Sequence, residues 1–404
     1  MKKILYLCHR IPYPPNKGDK IRSFNEIKFL SRTGTLDLIT LADNMEDMKY
    51  AVDLEKYCRQ VMVFPLNKKL ATLKGALSLM RGQSISQGYF YKKEFQKAVD
   101  KLTDSHKYDA LICFSSPMAE YVFKAKKKME DLAGTLIMDF CDLDSDKWNQ
   151  YADQKTFPLN LFYRTEARRL LSFEKKINRL FGRSVFISKK EADLFKAYNP
   201  EAKNIDIIPN GVDHAYFDPE KIIISKKAPF LVISFFGAMD YYANVDGALW
   251  FAGKILPLIK KKVPEVLFYI VGSHPDRRLK ALTTDPGIKV TGFVEDIRDY
   301  YASTRVCVIP LRIARGVQNK VLEAMSMAKA IVTTSPAVQG IEVYDDALLK
   351  IEDDPDRFAA QVIQLLQDEP LGKKMGRDAR HHIIENFNWD HNMESFLNEN
   401  SSYP

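Results

Sequence analysis

The sequence predicts an α/β protein built from two doubly wound parallel-sheet domains. Three observations carry this reading. The chain has 404 residues, 46% of them hydrophobic, too long for one ordinary domain and too apolar for a disordered chain. Short apolar runs alternate with helix-length amphipathic segments along nearly all of it. A turn dipeptide followed by a charged, aperiodic stretch divides that alternation near the middle.

Lys3–Cys8 is a short apolar run, and Ile21, Phe24, Ile27 and Leu30 follow it at helical spacing, so the chain opens as strand, loop, helix. Further strands are expected at Leu36–Leu41, Val61–Pro65, Asp109–Phe114, Thr135–Phe140, Ser184–Ser188 and Ile205–Pro209. Crossovers between them imply a parallel sheet buried on both faces, which is why Leu111–Phe114 and Val185–Ile187 are continuously apolar. Asn210-Gly211, Pro219, Lys221 and Lys226-Lys227 mark a linker over residues 210–228, closing a first domain over 1–209. A second Rossmann-like domain is expected over 229–385, with strands at Phe230–Phe236, Val266–Gly272, Ile288–Thr291, Arg305–Pro310, Ala330–Thr334 and Ala347–Ile351. The tail 386–404 carries Phe387, Trp389, Met393, Phe396 and Leu397, too apolar for water, and is expected to dock as a helix on the first domain. Ligands of such sheets bind at the carboxyl ends of the strands where strand order reverses, so two domains facing a cleft are expected, with function in the strand-end loops.

Composition excludes several classes. Sixty basic residues against 52 acidic ones leave a net charge of +8, too mild for a dedicated nucleic-acid binder. No period of 20–50 residues recurs. The longest apolar runs, Phe230–Gly237 and Val306–Leu311 among them, fall far short of the roughly 20 residues of a spanning helix. Lys2 and Lys3 precede an apolar run cut off at once by His9 and Arg10, too short for a secretory leader, so cytoplasmic residence is expected. Five dispersed cysteines without a CxxC pair read as buried small hydrophobes, not as a zinc site.

The most informative loop follows the strand at Arg305–Pro310 and opens a helix near Asn319. Free amides around Gln318 and Asn319, with the helix dipole, suit phosphate oxygens, and Arg312, Arg315 and Lys320 add three cations in nine positions. Glu323, a turn further in, is placed to accept hydrogen bonds from ribose hydroxyls. A nucleoside diphosphate satisfies all three features; a solvated helix start is the bland alternative. Gly18, in the loop Pro12–Lys20 after the first strand, lets the backbone approach a ligand from the other domain, with Asp19 capping the next helix. After another strand, Asp139 and Asp142 are candidates for positioning a hydroxyl group or stabilising positive charge that develops in a reaction. Asp142-Leu-Asp144 also spells the DxD pair with which other transferases hold a divalent ion. A metal-free role is preferred, because a metal-dependent single-domain enzyme would leave the second domain without a purpose. Leu66, Leu70, Leu73, Leu77 and Met80 form one helical stripe among Lys68, Lys69, Lys74 and Arg81. This describes either an ordinary helix packed on the sheet or one that rests on anionic lipid. The basic segment Asn160–Arg183 reads as a solvated helix, and His9, His214 and His274 as structural or surface residues.

Several segments occur in the order seen in family 4 glycosyltransferases of the GT-B fold, and the resemblance spans nearly the whole chain. They are Pro209-Asn-Gly-Val-Asp213, Phe236-Gly-Ala-Met-Asp240 through Asn244, Val271-Gly272, Gly292-Phe-Val-Glu-Asp296 and Lys320-Val-Leu-Glu-Ala-Met325. Lys17-Gly-Asp-Lys-Ile-Arg-Ser23 and Asp139 to Trp148 are similar to sugar transferases of PEP-CTERM/exosortase exopolysaccharide clusters. The resemblance implies a retaining, metal-independent transfer from a nucleotide-sugar donor to a saccharide or lipid-linked acceptor, with no other cofactor. By it the second domain binds the donor: Phe293 and Val294 line the base, Glu323 binds the ribose, Gly316, Val317 and Gln318 meet the sugar or its phosphates, and Gly237 and Asn244 belong to the donor loop. Two departures stand out. Arg315 occupies the first position of the family's Glu-x7-Glu motif, and residues 237–244 lack the Arg and Lys that grip the pyrophosphate in many members. Arg312, Arg315 or Lys320 is expected to compensate, with Arg315 and Lys320 acting on the leaving group. A nucleotide-sugar epimerase and a non-catalytic scaffold are the competing readings.

Overall fold

The computed structural model describes residues 1–397 except 154, 223–230, 315, 342 and 344. It divides into two compact units, one of residues 1–209 with 393–404 and one of residues 210–392. The first is organised by seven strands: β1 (Lys2–Cys8), β2 (Gly34–Ala42), β3 (Gln60–Pro65), β4 (Tyr108–Phe114), β5 (Ala133–Cys141), β6 (Arg183–Phe186) and β7 (Ile205–Ile207). They lie in the order β3-β2-β1-β4-β5-β6-β7, every described pair parallel. The second has six: β8 (Val232–Phe236), β9 (Leu267–Val271), β10 (Ile288–Val290), β11 (Val306–Ile309), β12 (Ala330–Thr333) and β13 (Lys350–Ile351), in the order β10-β9-β8-β11-β12-β13. Each predicted run therefore contains a strand, and the architecture is the expected pair of doubly wound parallel sheets.

Both sheets are buried on both faces. Residues Ile4 to Cys8 of β1 and Val232 to Phe236 of β8 are essentially inaccessible, so alternation would leave polar side chains in the core. In each unit the order reverses beside its first strand, between β1 and β4 and between β8 and β11. The crevice at a doubly wound sheet's switch point is thereby fixed by topology before any side chain is considered.

The segment anticipated as a linker is instead part of the second unit: Val212 is buried in that unit's core and its amide donates to Phe387 O at 2.9 Å. The rest of that stretch, residues 223–228, lies outside the described residues. The C-terminus also differs from expectation. Helix Glu369–Asn386 and the following Trp389, which closes over Gly211, stay with the second unit. Only from Met393 does the chain belong to the first, where Met393 and Phe396 are fully buried. Arg183 binds that return, donating to Phe396 O at 2.6 Å and Ser395 O at 2.9 Å while paired with Asp206 at 2.7 Å.

Candidate active site

In the second unit, the loop after β8 is shaped by a close approach between two glycines. Gly237 has φ 157° and Gly272, after β9, has φ 151°; a Cβ on Gly272 would lie 1.7 Å from Gly237 O. No side chain fits there, and the β8 loop is drawn against the β9 loop, Gly237 N bonding to Val271 O at 3.0 Å and Met239 N to Ser273 O at 2.8 Å. Helix Tyr242–Trp250 follows and presents Asn244. Its Nδ2 donates to Ala238 O at 2.8 Å, which turns Oδ1 toward Lys320, whose ammonium donates to it. A Cβ on Gly237 would be 2.7 Å from Asn244 Nδ2 and 3.1 Å from Lys320 Nζ, so the glycine also makes room for this pair.

Lys320 comes from the other side of the switch point, the second residue of helix Asn319–Ser326 after β11. Its ammonium lies 5.0 Å above the centre of the Phe235 ring. Desolvation pushes it down to about 8, against a smaller upward pull from Glu323. Among the described residues no carboxylate forms an ion pair with it. Glu323, half-buried, is pushed up by burial and held back by the Tyr301 hydroxyl, which donates to Oε2 at 3.1 Å, and by Lys320. Tyr301 is fully buried and stacked 3.8 Å from Phe236. A partly exposed carboxylate, oriented from behind, stands one turn from the Lys320 ammonium and pulls on it without a direct ion pair.

The remaining candidates of this unit fall around that pair. Gly316 has φ 59°, and a Cβ on Gly340 would touch its carbonyl at 2.3 Å, so the loop after β11 rests on Gly340. Val317 packs on the core; Gln318 precedes the helix without capping it through its side chain, leaving first-turn amides without that partner. Asn319 Oδ1 is buried and finds no hydrogen-bond partner among the described residues. Arg312 is directed elsewhere: it forms a bidentate pair with Asp246, Nε to Oδ2 at 2.9 Å. Phe293, 78% exposed after Gly292 with its φ of 72°, offers an open ring face at the end of β10, while Val294 packs inward. Arg315 lies outside the described residues.

Gly18, Asp139 and Asp142 belong to the first unit. Gly18 begins helix Gly18–Thr33 and is exposed, with open space where a side chain would be. Asp139 departs from the expected strand-end role. It is fully buried, accepts from Arg22 Nε at 2.8 Å and Nη2 at 2.7 Å, and receives the Cys141 amide at 2.8 Å. Arg22 also meets Glu26 at 2.9 Å and Ile208 O at 2.8 Å, and Glu26 accepts from Tyr6 at 2.5 Å. Asp139 is thus half of a buried ion pair with Arg22. Asp142 is half-buried, and Asp144 starts helix Asp144–Asp153. Among the described residues no group of three His, Cys, Asp or Glu is arranged to hold a metal.

The residue that sequence reasoning passed over is His9. It directly follows β1 at the switch point, stacked 5.9 Å from Phe114 of β4 and 3.4 Å from Asp19. Burial would raise the Asp19 carboxyl, but the hydrogen bond and charge of His9, with Arg10, hold it well below the usual range. A lone histidine has no spacing signature; its place at the end of the first strand was the available signal.

Comparisons with known proteins bear on the fold that positions these residues. Residues 231–368 match the family described as Glycosyl transferases group 1. Over 99% of its length the chain is 23% identical to all of a 44.6 kDa Klebsiella pneumoniae protein described as uncharacterized and in a cps region. Among solved structures, sucrose-phosphate synthase from Thermosynechococcus elongatus superposes with a TM-score of 0.70 at 14% identity, covering 98% of this chain and 97% of the other. Anabaena HepE in complex with UDP-glucose does so with 0.67 at 16%, covering 98% and 99%. The chain has the GT-B glycosyltransferase fold, and its second unit carries the match to the group 1 glycosyl transferases.

Proposed function

We propose that the protein is a retaining glycosyltransferase that moves a sugar from a nucleotide-diphosphate donor to an acceptor hydroxyl without a metal ion. The observation that carries this reading is the Lys320 ammonium, desolvated and set against the neutral Asn244 amide at the switch point of the second sheet. Breaking the bond between anomeric carbon and phosphate leaves extra negative charge on the diphosphate, and a cation without a direct ion pair stabilises it most where water is excluded. The first-turn amides at Asn319 and Lys320 add donors, Glu323 accepts from the ribose, and Phe293 with Val294 receives the base. The bond from anomeric carbon to diphosphate breaks first, giving a short-lived ion pair; the acceptor oxygen then joins the anomeric carbon on the same face and passes its proton to the departing diphosphate. His9, at the corresponding place of the first unit, is our candidate for meeting the acceptor; Asp139 acts by holding Arg22.

The HepE structure with UDP-glucose supports the donor class. The cps-region relative and the resemblance to exosortase-associated transferases support a role in exopolysaccharide or cell-surface glycan assembly. A melting-temperature screen of nucleotide sugars tests the donor site, since a ligand at a hundred times its Kd stabilises by about 2.7 kcal/mol. Failure of every nucleotide sugar to shift the transition sinks the reading. Transfer is then followed with and without excess EDTA: loss of turnover in EDTA refutes metal independence, and interconversion of donor without acceptor identifies an epimerase. Arg315→Ala shows whether the departure from the Glu-x7-Glu pattern serves the leaving group.

A further inference from the structure

Helix Lys68–Met80 faces the opposite way from an ordinary sheet-packed helix. Its buried residues are Ala71, Gly75 and Ser78, while Leu70, Leu73, Leu77 and Met80 are 50%, 58%, 42% and 84% exposed. The cause lies in its contact with helix Ile85–Phe90. A Cβ on Gly75 would come within 2.7 Å of Ile85 Cγ2, and one on Gly88 within 1.9 Å of Ser78 Oγ. The two helices meet at backbone distance, through a face only small residues can form, and the large residues are left outside. At 100° per residue the leucine stripe has exposed Lys69 on one flank and Lys74 and Arg81 on the other.

A cationic groove adjoins the end of this helix. Arg169 donates to Leu79 O and, at 3.2 Å, to Gln83 O, fastening helix Leu159–Leu180 to the turn at Gly82 and Gln83. From that turn a hollow of about 1060 Å³ runs along the long helix, lined by Arg168, Lys175, Lys176, Arg179 and Lys203 against one carboxylate, Glu201.

We propose that this face of the first unit docks on an anionic phospholipid surface, the exposed leucines and Met80 entering the boundary between headgroups and acyl chains while the groove receives lipid phosphates. An exposed apolar row flanked by lysine and arginine is the composition of a helix that lies in a membrane interface. Its charge also selects the occupant: a second copy of this chain would bring cation against cation, whereas an anionic leaflet attracts each basic residue near its surface. No helix among the described residues is long and apolar enough to cross a membrane, so this contact is peripheral. The inference is independent of the transfer reaction and is tested without it.

The full chain is sedimented with phosphatidylcholine vesicles with and without phosphatidylglycerol. Binding is expected only to the anionic vesicles and to weaken with added salt. Leu73→Asp with Leu77→Asp, and separately Arg168→Gln with Lys176→Gln and Arg179→Gln, are each expected to lower vesicle affinity by roughly tenfold or more. Because these side chains are exposed, thermal melting should not change. Equal binding to both vesicle types, or vesicle affinity unaltered in the leucine variant, overturns the proposal. So does a concentration-dependent dimer that the leucine substitutions dissolve while vesicle binding stays intact, which would assign the face to a second copy.

Discussion

The two units share a topology yet treat charge at their switch points in opposite ways. In the first, the cations near the ends of β1 and β5 are matched by carboxylates: Arg22 by Asp139, Arg10 by Asp19 and Asp43, Lys20 by Asp47 at 2.6 Å. In the second, Lys320 is half-buried and meets an amide oxygen and a ring face directly, while Glu323 one turn away pulls on it without a direct ion pair. A matched set of charges holds a structure; a desolvated cation without a direct ion pair awaits an anion. The same sheet order thus yields a braced unit and a receptive one.

The largest expected effect tests the bracing. Asp139→Asn leaves the buried Arg22 guanidinium without its main counter-charge, and breaking a buried pair costs about 3–5 kcal/mol. We expect the lower end, because burial and the charge of Asp139 push the Glu26 carboxyl up, against the pull of Arg22, and loss of Asp139 lets Glu26 ionise in its place. Denaturant unfolding should show the loss, while folded protein at low temperature keeps its affinity for donor. Unchanged stability with abolished turnover would return Asp139 to the chemistry.

Lys320→Met tests the receptive side. Removal of one group that stabilises developing charge lowers turnover by about 10²–10³-fold. Stability should move the other way. The folded state lowers the ammonium to about 8, whereas the unfolded chain keeps it near 10.4. The fold therefore carries a cost for the charged form below about pH 8, relieved as pH rises toward the unfolded value. The Met variant should accordingly melt at the same temperature as the parent or above it. A variant that melts lower and turns over normally would make Lys320 a structural residue. The same ionisation predicts that donor affinity is flat below about pH 8 and falls by roughly tenfold per unit above it, as the cation is lost. Affinity that stays constant to about pH 10 would remove the ammonium from the diphosphate site.

These contrasts show what a sequence discloses. The central strands among those described, such as β1, β4 and β8, were legible because a parallel strand buried on both faces is apolar along its length, a local property. The helix opening at Asn319 was legible for the same reason. The contact between Lys320 and Asn244 was not: 76 positions separate them, and only the juxtaposition of β8 and β11 joins the loops. Asp139 looked like an active-site carboxylate because its partner stands 117 positions earlier. Periodicity located the stripe on helix Lys68–Met80 but not its direction, which the small residues Gly75 and Gly88 decide by letting two helices touch. Arg312 sits among the expected cations, yet Asp246, two residues beyond Asn244, claims it.

The smallest change refines the receptive site. Tyr301→Phe keeps the ring stacked on Phe236 and removes only the hydroxyl that donates to Glu323. A hydrogen bond to a charged group is worth about 1.5–3 kcal/mol, and one at 3.1 Å to a half-buried carboxylate falls at or below the lower figure. If Glu323 binds the ribose in ground and transition states alike, loss of its orientation weakens donor binding by about three- to tenfold and leaves kcat unchanged, the signature of uniform binding. A fall in kcat with KM unaltered would instead place Glu323 against the reacting sugar, moving the diphosphate one turn deeper along the helix and taking Lys320 away from the leaving oxygen. The split between KM and kcat in this one variant therefore fixes how the donor lies along Asn319–Ser326.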